Sequence, residues 1–341
     1  MAGKTLGWGL IGASTIAREF MIPAIQAQPD SRLVAVMSRS AERGRAYAAA
    51  NGIARSYDRV EALLADAEVD VVYISTTNER HKAETLQAAA AGKHVLCEKP
   101  LALTLADARE MVDACKAAGL VMGTNHHLRN AVTHRTLRRL VVDGAIGRPL
   151  AARVFHAVYL PPHLQTWRIK SPEAGAGVIL DITVHDTDTL RFILDDEVET
   201  VTALATQQGL AEGALEDAVM GVMQFRGGVQ AQFHDAFTIG HAGTGLQVHG
   251  TDGSLFAEDV MTQRPLGRIF LRRNETSEEI SLDPPEDLYT RAVRCFNQAV
   301  HGEGEPAATG EDGIKSLAVG LAVLESTRVG GHVTVEYGKL A

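Results

Sequence analysis

Short runs of continuously apolar residues alternate with segments of helical periodicity through the first 125 residues, and this alternation fixes the fold class more firmly than any other feature. The apolar runs fall at 6–11, 33–37, 69–75, 94–97 and 121–124. Between them, 15–27 repeats Ile16, Phe20, Ala24 and Ala27 at helical spacing, and 41–50, 60–65, 79–91 and 104–118 read the same way. Asn51-Gly52, Gly92 and Gly119 stand where those helices should stop. Strands that are apolar throughout are buried on both faces, and strands separated by helices run parallel. A doubly wound α/β sheet of five strands is predicted.

The rhythm changes after a helix over 132–143. Strand patterns dominate at 150–159, 198–207, 219–225, 229–237, 245–249 and 269–272. Several are joined by signals as tight as Arg226-Gly227-Gly228 and Thr251-Asp252-Gly253, which imply antiparallel pairing. Helices over 182–193, 288–301 and 312–328 are expected to cover one face of this sheet. The boundary falls near Asn125, with a first domain over 1–124 and an α+β domain over 125–341 built on a large, mostly antiparallel open sheet. The C-terminal segment is left free to pack back on the first domain. A chain of 341 residues suits two domains at about 150 residues each.

Composition narrows the function. Lys and Arg total 33 against 42 Asp and Glu, a formal net charge of −9 with His neutral. Affinity for a nucleic-acid backbone rests on massed Lys and Arg, so no nucleic-acid partner is expected, although a pocket for one phosphate stays open. No apolar run approaches the roughly 18 residues of a membrane helix. The apolar start at 6–17 carries Gly7, Gly9 and Gly12 and runs into Arg18-Glu19, which suits a strand and turn better than a signal peptide. Cys97, Cys115 and Cys295 lie far apart without a CxxC, as reduced cytosolic thiols do, and a cytoplasmic protein is expected.

Gly12-x-Ser14-x-x-Ala17 sits at the first strand-to-helix junction and matches G-x-G-x-x-G/A with Ser at the second glycine. Gly12 permits the turn, Ser14 lets a phosphate approach, and Ala17 lets the helix pack on its strand. The helix start over Thr15 and Ile16 offers N–H groups to a pyrophosphate, so a Rossmann-type dinucleotide domain is predicted. NAD preference would place Asp or Glu after the second strand. Here the chain reads Ser38-Arg39-Ser40-Ala41-Glu42-Arg43, with Glu42 inside the next helix. Hydroxyls and guanidinium groups complement a ribose 2′-phosphate, so NADPH is expected; otherwise Arg39 and Arg43 are solvated helix-start charges.

Cys97-Glu98-Lys99-Pro100 closes the fourth strand, where doubly wound sheets bind ligands. From there Lys99 could stabilise an alkoxide forming during hydride transfer, with Pro100 fixing the turn through a cis bond. The plain alternative is a surface lysine with its stem on apolar neighbours. Further on, a small-residue loop, Gly175-Ala176-Gly177, leads into a helix carrying Asp181 and His185 four residues apart on one face. His185 could give a proton to a carbonyl oxygen, and Asp181 could hold substrate or imidazole; the alternative is a surface ion pair.

Gly12-x-Ser14-x-x-Ala17, Glu98-Lys99-Pro100 and Asp181-x-x-x-His185 together resemble the Gfo/Idh/MocA family of sugar and polyol oxidoreductases, across both domains. Thr76-Thr77-Asn78-Glu79-Arg80-His81 is similar to the family's Thr-Pro-Asn-x-x-His, with Thr77 in place of Pro. Residues 9–19, 124–130, 153–165 and 177–186 narrow the likeness to members that reduce a cyclic sugar ketone. The resemblance implies NADPH-dependent reduction of the C2 ketone of 1,5-anhydro-D-fructose to 1,5-anhydro-D-mannitol. It implies Lys99 and His185 as the catalytic pair, with Asp181, Trp167 and Arg168 near the sugar; core packing is the alternative for Trp167. Candidate cofactor residues are Gly12, Ser14, Thr15, Ile16, Ala17, Ser38, Arg39, Arg43, Thr76, Asn78, His81, Glu98 and Lys99.

Three rivals stay in view. One is a cyclitol or aldose dehydrogenase of the same family. Another is a metal enzyme using His126, His127, His185, Asp186 and Asp188, against which no HxH or HExxH appears, and no metal is expected. The last is a sensor that binds NADP without catalysis, disfavoured by the joint presence of Lys99, Asp181 and His185. A homodimer through the second-domain sheet is a possible assembly.

Overall fold

The structure is a computed structural model that describes residues 4–338. Contacts divide the chain into two units, Met1–His127 with Asp287–Ile314, and Leu128–Glu286 with Lys315–Ala341.

In the first unit, β1 (Leu6–Ile11), β2 (Ser31–Met37), β3 (Arg55–Tyr57), β4 (Val71–Ile74), β5 (His94–Cys97) and β6 (Met122–Thr124) form one parallel sheet. Its order is β3-β2-β1-β4-β5-β6. Every residue of β1 and β4 is buried, as their unbroken apolar sequences require. Register does the functional work: Ile11 pairs with Met37 and with Ile74, Ile74 with Cys97, and Cys97 with Thr124. Five strands therefore end level, and Gly12, Ser38, Ser75, Glu98 and Asn125 follow them at one edge. The strand order reverses between β1 and β4, where an open α/β sheet leaves its ligand crevice.

Two expectations need correction here. The sheet has six strands, because Arg55-Ser56-Tyr57 forms an edge strand too short and polar to register as an apolar run. The helix Leu288–Val300, expected on the second sheet, packs in the first unit. Phe296 meets the buried indole of Trp8 at 5.6 Å between centroids, and Asn297 donates to Asp30 and Ser31. Helical periodicity shows that this helix has an apolar face but not which sheet receives it.

In the second unit, the strands are β7 (Pro149–Ala157), β8 (Val198–Thr206), β9 (Ala218–Phe225), β10 (Gln230–Ala236), β11 (Gly245–Gly250), β12 (Ser254–Glu258), β13 (Arg268–Arg273), β14 (Thr276–Glu279) and β15 (Val333–Thr334). They form one sheet in the order β14-β13-β12-β11-β7-β10-β9-β8-β15. Among the described residues only the central pair β7–β10 is parallel. The sequence pattern missed β12, β14 and β15. The four residues of β14 are all exposed and β15 has two, so neither carries a buried stripe to read. Helices Val132–Val142 and Val184–Leu194 pack together in this unit. Leu204, Met220 and Val222 point out to solvent from β8 and β9. Among the described residues no helix is long and apolar enough to cross a membrane.

Candidate functional site

The first unit offers a main-chain site. Gly12 holds φ +112°, a conformation only glycine adopts readily, and a Cβ there would stand 3.1 Å from the Ser75 carbonyl oxygen. The helix that follows opens with a π-helical segment, Ala17–Met21, ahead of the α-helical Ile22–Gln26. Thr15 and Ile16 lie at its first turn, whose N–H groups have no intrahelical acceptor. Ser14 Oγ accepts from the Ala17 N–H at 3.1 Å and lies 2.8 Å from Ser75 Oγ. The replacement of the motif's second glycine by Ser thus joins the turn after β1 to the turn after β4.

Arg43 reaches the same turn from the helix Ala41–Ala50 and donates to the Ala13 carbonyl at 2.6 Å. Tyr47, one turn further, donates to the Ser14 carbonyl at 2.9 Å. Burial pushes the Tyr47 phenol up to about 12 despite Arg18 and Arg43 nearby, so it stays a neutral donor. Ser38 is buried after β2, and no carboxylate follows it before Glu42. Arg39 is exposed and makes no bond to the turn among the described residues.

The Thr76 hydroxyl donates to Glu84, and Asn78 is buried in the short 3₁₀ turn behind it. His81 is fully buried, with Nδ1 3.0 Å from the Pro100 carbonyl and Nε2 3.3 Å from the Thr76 carbonyl. Burial lowers its pKa, so the ring is neutral and donates to one of the two. His81 therefore lies between the turn after β4 and the turn after β5, hydrogen-bonded to one and packed against the other. The Lys99–Pro100 bond is cis, as the sequence suggested.

Glu98, beside Lys99, is held from below. Tyr73 Oη and Asn125 Nδ2 both donate to Glu98 Oε1, the latter at 2.6 Å. Burial raises the Glu98 pKa, while Asn125, Tyr73 and Lys99 oppose the rise. Sequence reasoning missed Tyr73 and Asn125. The one signal for Tyr73 is a hydroxyl in the middle of an otherwise aliphatic strand.

The second unit offers a side-chain site. Gly177 holds φ +109°, and a Cβ there would stand 2.2 Å from Glu216 Oε1. That carboxylate accepts the Ile179 N–H at 3.2 Å, and burial raises its pKa. Glu216 was not anticipated from the sequence, since it lies 37 residues from its partner. Again a π-helical segment follows, Ile179–Thr183, continuing into the α-helix Val184–Leu194. π-Turns inside helices recur at functional sites.

Asp181 and His185 fall on this continuous helix, His185 buried and Asp181 partly exposed. Arg168 Nε lies 3.4 Å from Asp181 Oδ2, and its guanidinium sits 4.8 Å over the Trp167 ring. Trp167 is partly exposed. The structure thus gathers Trp167, Arg168 and Asp181, an aromatic face beside charged hydrogen-bonding groups.

The residues of the metal reading have other contacts. Asp188 accepts from Arg129 Nε and Nη2 at 2.7 and 2.8 Å, and His156 Nδ1 lies 2.7 Å from Asp186 Oδ1. His127 stacks on Tyr289 at 5.3 Å.

Comparison with known proteins follows the same division. Residues 6–126 match the model of an oxidoreductase family with an NAD-binding Rossmann fold, and 134–256 match the GFO/IDH/MocA C-terminal domain. A 1,5-anhydro-D-fructose reductase from Ensifer adhaerens is 58% identical, over 97% of this chain and 99% of its own. A myo-inositol 2-dehydrogenase from Thermotoga maritima is 28% identical over 90% of this chain and 92% of its own. Among solved structures, an aldose-aldose oxidoreductase from Caulobacter crescentus in complex with glycerol superposes with TM-score 0.89 at 26% identity, covering 97% of this chain and 100% of its own.

Proposed function

The chain belongs to the Gfo/Idh/MocA oxidoreductase family, and from that premise we propose that it reduces the C2 ketone of 1,5-anhydro-D-fructose to 1,5-anhydro-D-mannitol with NADPH. It is an oxidoreductase of sugars that uses a nicotinamide cofactor. The observation that carries the substrate is 58% identity along almost the whole chain to a reductase of that ketose.

Local chemistry supports the cofactor. The turn at Gly12 holds a positive φ, would crowd a side chain, and leaves main-chain N–H groups for a pyrophosphate. Beside it stand the Ser38 hydroxyl and the Arg43 guanidinium, with no carboxylate to repel a 2′-phosphate. Gly12, Ser14, Thr15, Ile16, Ala17, Ser38, Arg39 and Arg43 would hold the adenine-side phosphates. Thr76, Asn78, His81, Glu98 and Lys99 would form the nicotinamide end. The bound cofactor supplies the hydride.

The chain's own groups do the rest. Lys99 donates to the C2 oxygen and stabilises negative charge as it develops there. Glu98, fixed by Tyr73 and Asn125, holds the main chain from which Lys99 projects. His185 delivers the proton to that oxygen. Asp181 and Arg168 bind sugar hydroxyls, and the Trp167 face receives sugar C–H groups. The free thiols of Cys97, Cys115 and Cys295 and this chemistry support a cytoplasmic enzyme. Leu204, Met220 and Val222 offer an apolar sheet face for a second copy, which the sedimentation mass of the wild-type chain decides.

The test follows absorbance at 340 nm with purified protein, EDTA, 1,5-anhydro-D-fructose and either NADPH or NADH. Loss with NADPH and little with NADH is expected. No loss with either sinks the substrate, and myo-inositol with NAD⁺ becomes the next assay, given the inositol dehydrogenase among the relatives.

A further inference from the structure

His185 and Asp181 stand on a helix start whose far side meets the sheet through a closed set of buried polar groups. Asp235 on β10 and His156 on β7 are direct cross-strand partners. Thr183, the last residue of the π-segment, donates its hydroxyl to Asp235 Oδ2 at 2.5 Å. Asp186, one turn further, takes His156 Nδ1 at 2.7 Å on its Oδ1. Asp186, Asp235 and Thr183 are wholly buried and His156 nearly so.

Two oxygens are then left over. Asp186 Oδ2 and Asp235 Oδ1 are buried, and no donor among the described residues reaches either. The two carboxyl groups are nonetheless within hydrogen-bonding reach of each other. Two carboxylates offer only acceptors, and like charges at full burial repel strongly. A single proton between them removes both problems and gives every oxygen of the pair a partner.

We propose that Asp186 and Asp235 share one proton, and that this acid pair is a positioning device that fixes the 179–185 segment and so aims Asp181 and His185. Burial raises both carboxyl pKa values, and for Asp235 the neighbouring Asp186 raises it further, the direction a shared proton needs. His156, 2.7 Å from Asp186 Oδ1, opposes the rise at Asp235 through its charge when protonated, and the buried His134 is held neutral by burial and by that same charge, its pKa lowered to about 3. The opposite flank of the helix is held differently, by Asp188 between Arg129 and Arg191. A protonated carboxyl pair tolerates burial where two ions would not. The role as an aiming device rests on the reading of His185 and Asp181 as active-site groups, whereas the shared proton does not.

The test separates these two parts. Infrared spectra of the cofactor-free protein at pH 7 in D₂O should show a protonated-carboxyl band that Asp235→Asn removes. The amide N–H then takes the proton's place and leaves Asp186 ionised. Absence of the band from the difference spectrum overturns the shared proton, whatever the substrate. For the aiming role, Asp235→Leu should lower kcat about 10- to 100-fold, the cost of a small misplacement of reacting groups, with KM for NADPH within about twofold. Asp235→Asn should recover most of that loss, because it keeps both hydrogen bonds. If Asp235→Leu does not fold, Thr183→Val carries the same measurement with its smaller expected loss of a few-fold. Unchanged kcat in the variant that folds, or a failure of Asn to rescue it, overturns the aiming role.

Discussion

Each unit presents its chemistry from the same local device: a glycine near φ +110° followed by a helix that opens with a π-helical segment. The two devices differ in what fills the space over the glycine. At Gly12 the neighbours are main-chain atoms of Ser75 and the Thr76 methyl, while at Gly177 the neighbour is the carboxylate of Glu216. That carboxylate accepts a helix-start N–H, so the second turn supplies its own anion. No carboxylate stands over the first turn, whose N–H groups are available to an anion from outside. On the proposed reading, the first turn would bind through the backbone and the second would set side chains. The comparison explains why the first turn reads as a cofactor site and the second as a setting for reacting side chains.

The largest expected effect tests that assignment of labour. His185→Ala and Lys99→Ala should each lower kcat by about 100-fold or more, and His185→Ala should do so with little change in the affinity for NADPH measured by fluorescence titration. Wild-type turnover in both variants would remove the chemistry from these residues. A loss of cofactor binding in His185→Ala would break the division between the two turns.

A smaller effect sharpens it. Alanine at a φ near +110° is strained by about 1–2 kcal/mol wherever it stands, roughly a tenfold effect if the strain is expressed at the site. Gly12→Ala should raise KM for NADPH by about that factor, because its Cβ meets main chain that cannot step aside. Gly177→Ala should instead lower kcat, and adding Glu216→Ala should recover part of the loss by clearing the obstructing carboxylate. Recovery in neither kinetic constant would mean that backbone strain alone governs both turns.

How much of this was legible follows from the kind of contact involved. The parallel sheet could be read because each strand is a continuous apolar run, and the phosphate turn because its requirements fall on neighbours in sequence, Gly12, Ser14 and Ala17. That Asp181 and His185 share one helix was legible for the same reason, since they are one turn apart. What escaped is long-range. Glu216 over Gly177, Tyr73 and Asn125 on Glu98, and Asp235 against Asp186 are each 25 or more residues apart, and no local spacing announces them. The helix Leu288–Val300 was recognised as a helix and assigned to the wrong sheet, because an amphipathic face carries no address. Edge strand β3 was lost because three half-exposed residues show no burial pattern.

The smallest expected effect falls at the rim of the first turn. Arg43 is exposed, so its contribution to a 2′-phosphate is screened by water and salt and discounted to about 1 kcal/mol, roughly fivefold. The same guanidinium already donates to the Ala13 carbonyl, which fixes its position before any ligand arrives. Arg43→Ala should therefore raise KM for NADPH about fivefold and leave KM for NADH within about twofold, since NADH carries no 2′-phosphate. Arg43→Lys should recover little, because a lysine cannot hold the Ala13 carbonyl and an anion in one planar fork. Equal increases for the two cofactors would show that Arg43 serves the turn itself through Ala13. The choice of NADPH would then pass to Ser38 and Arg39.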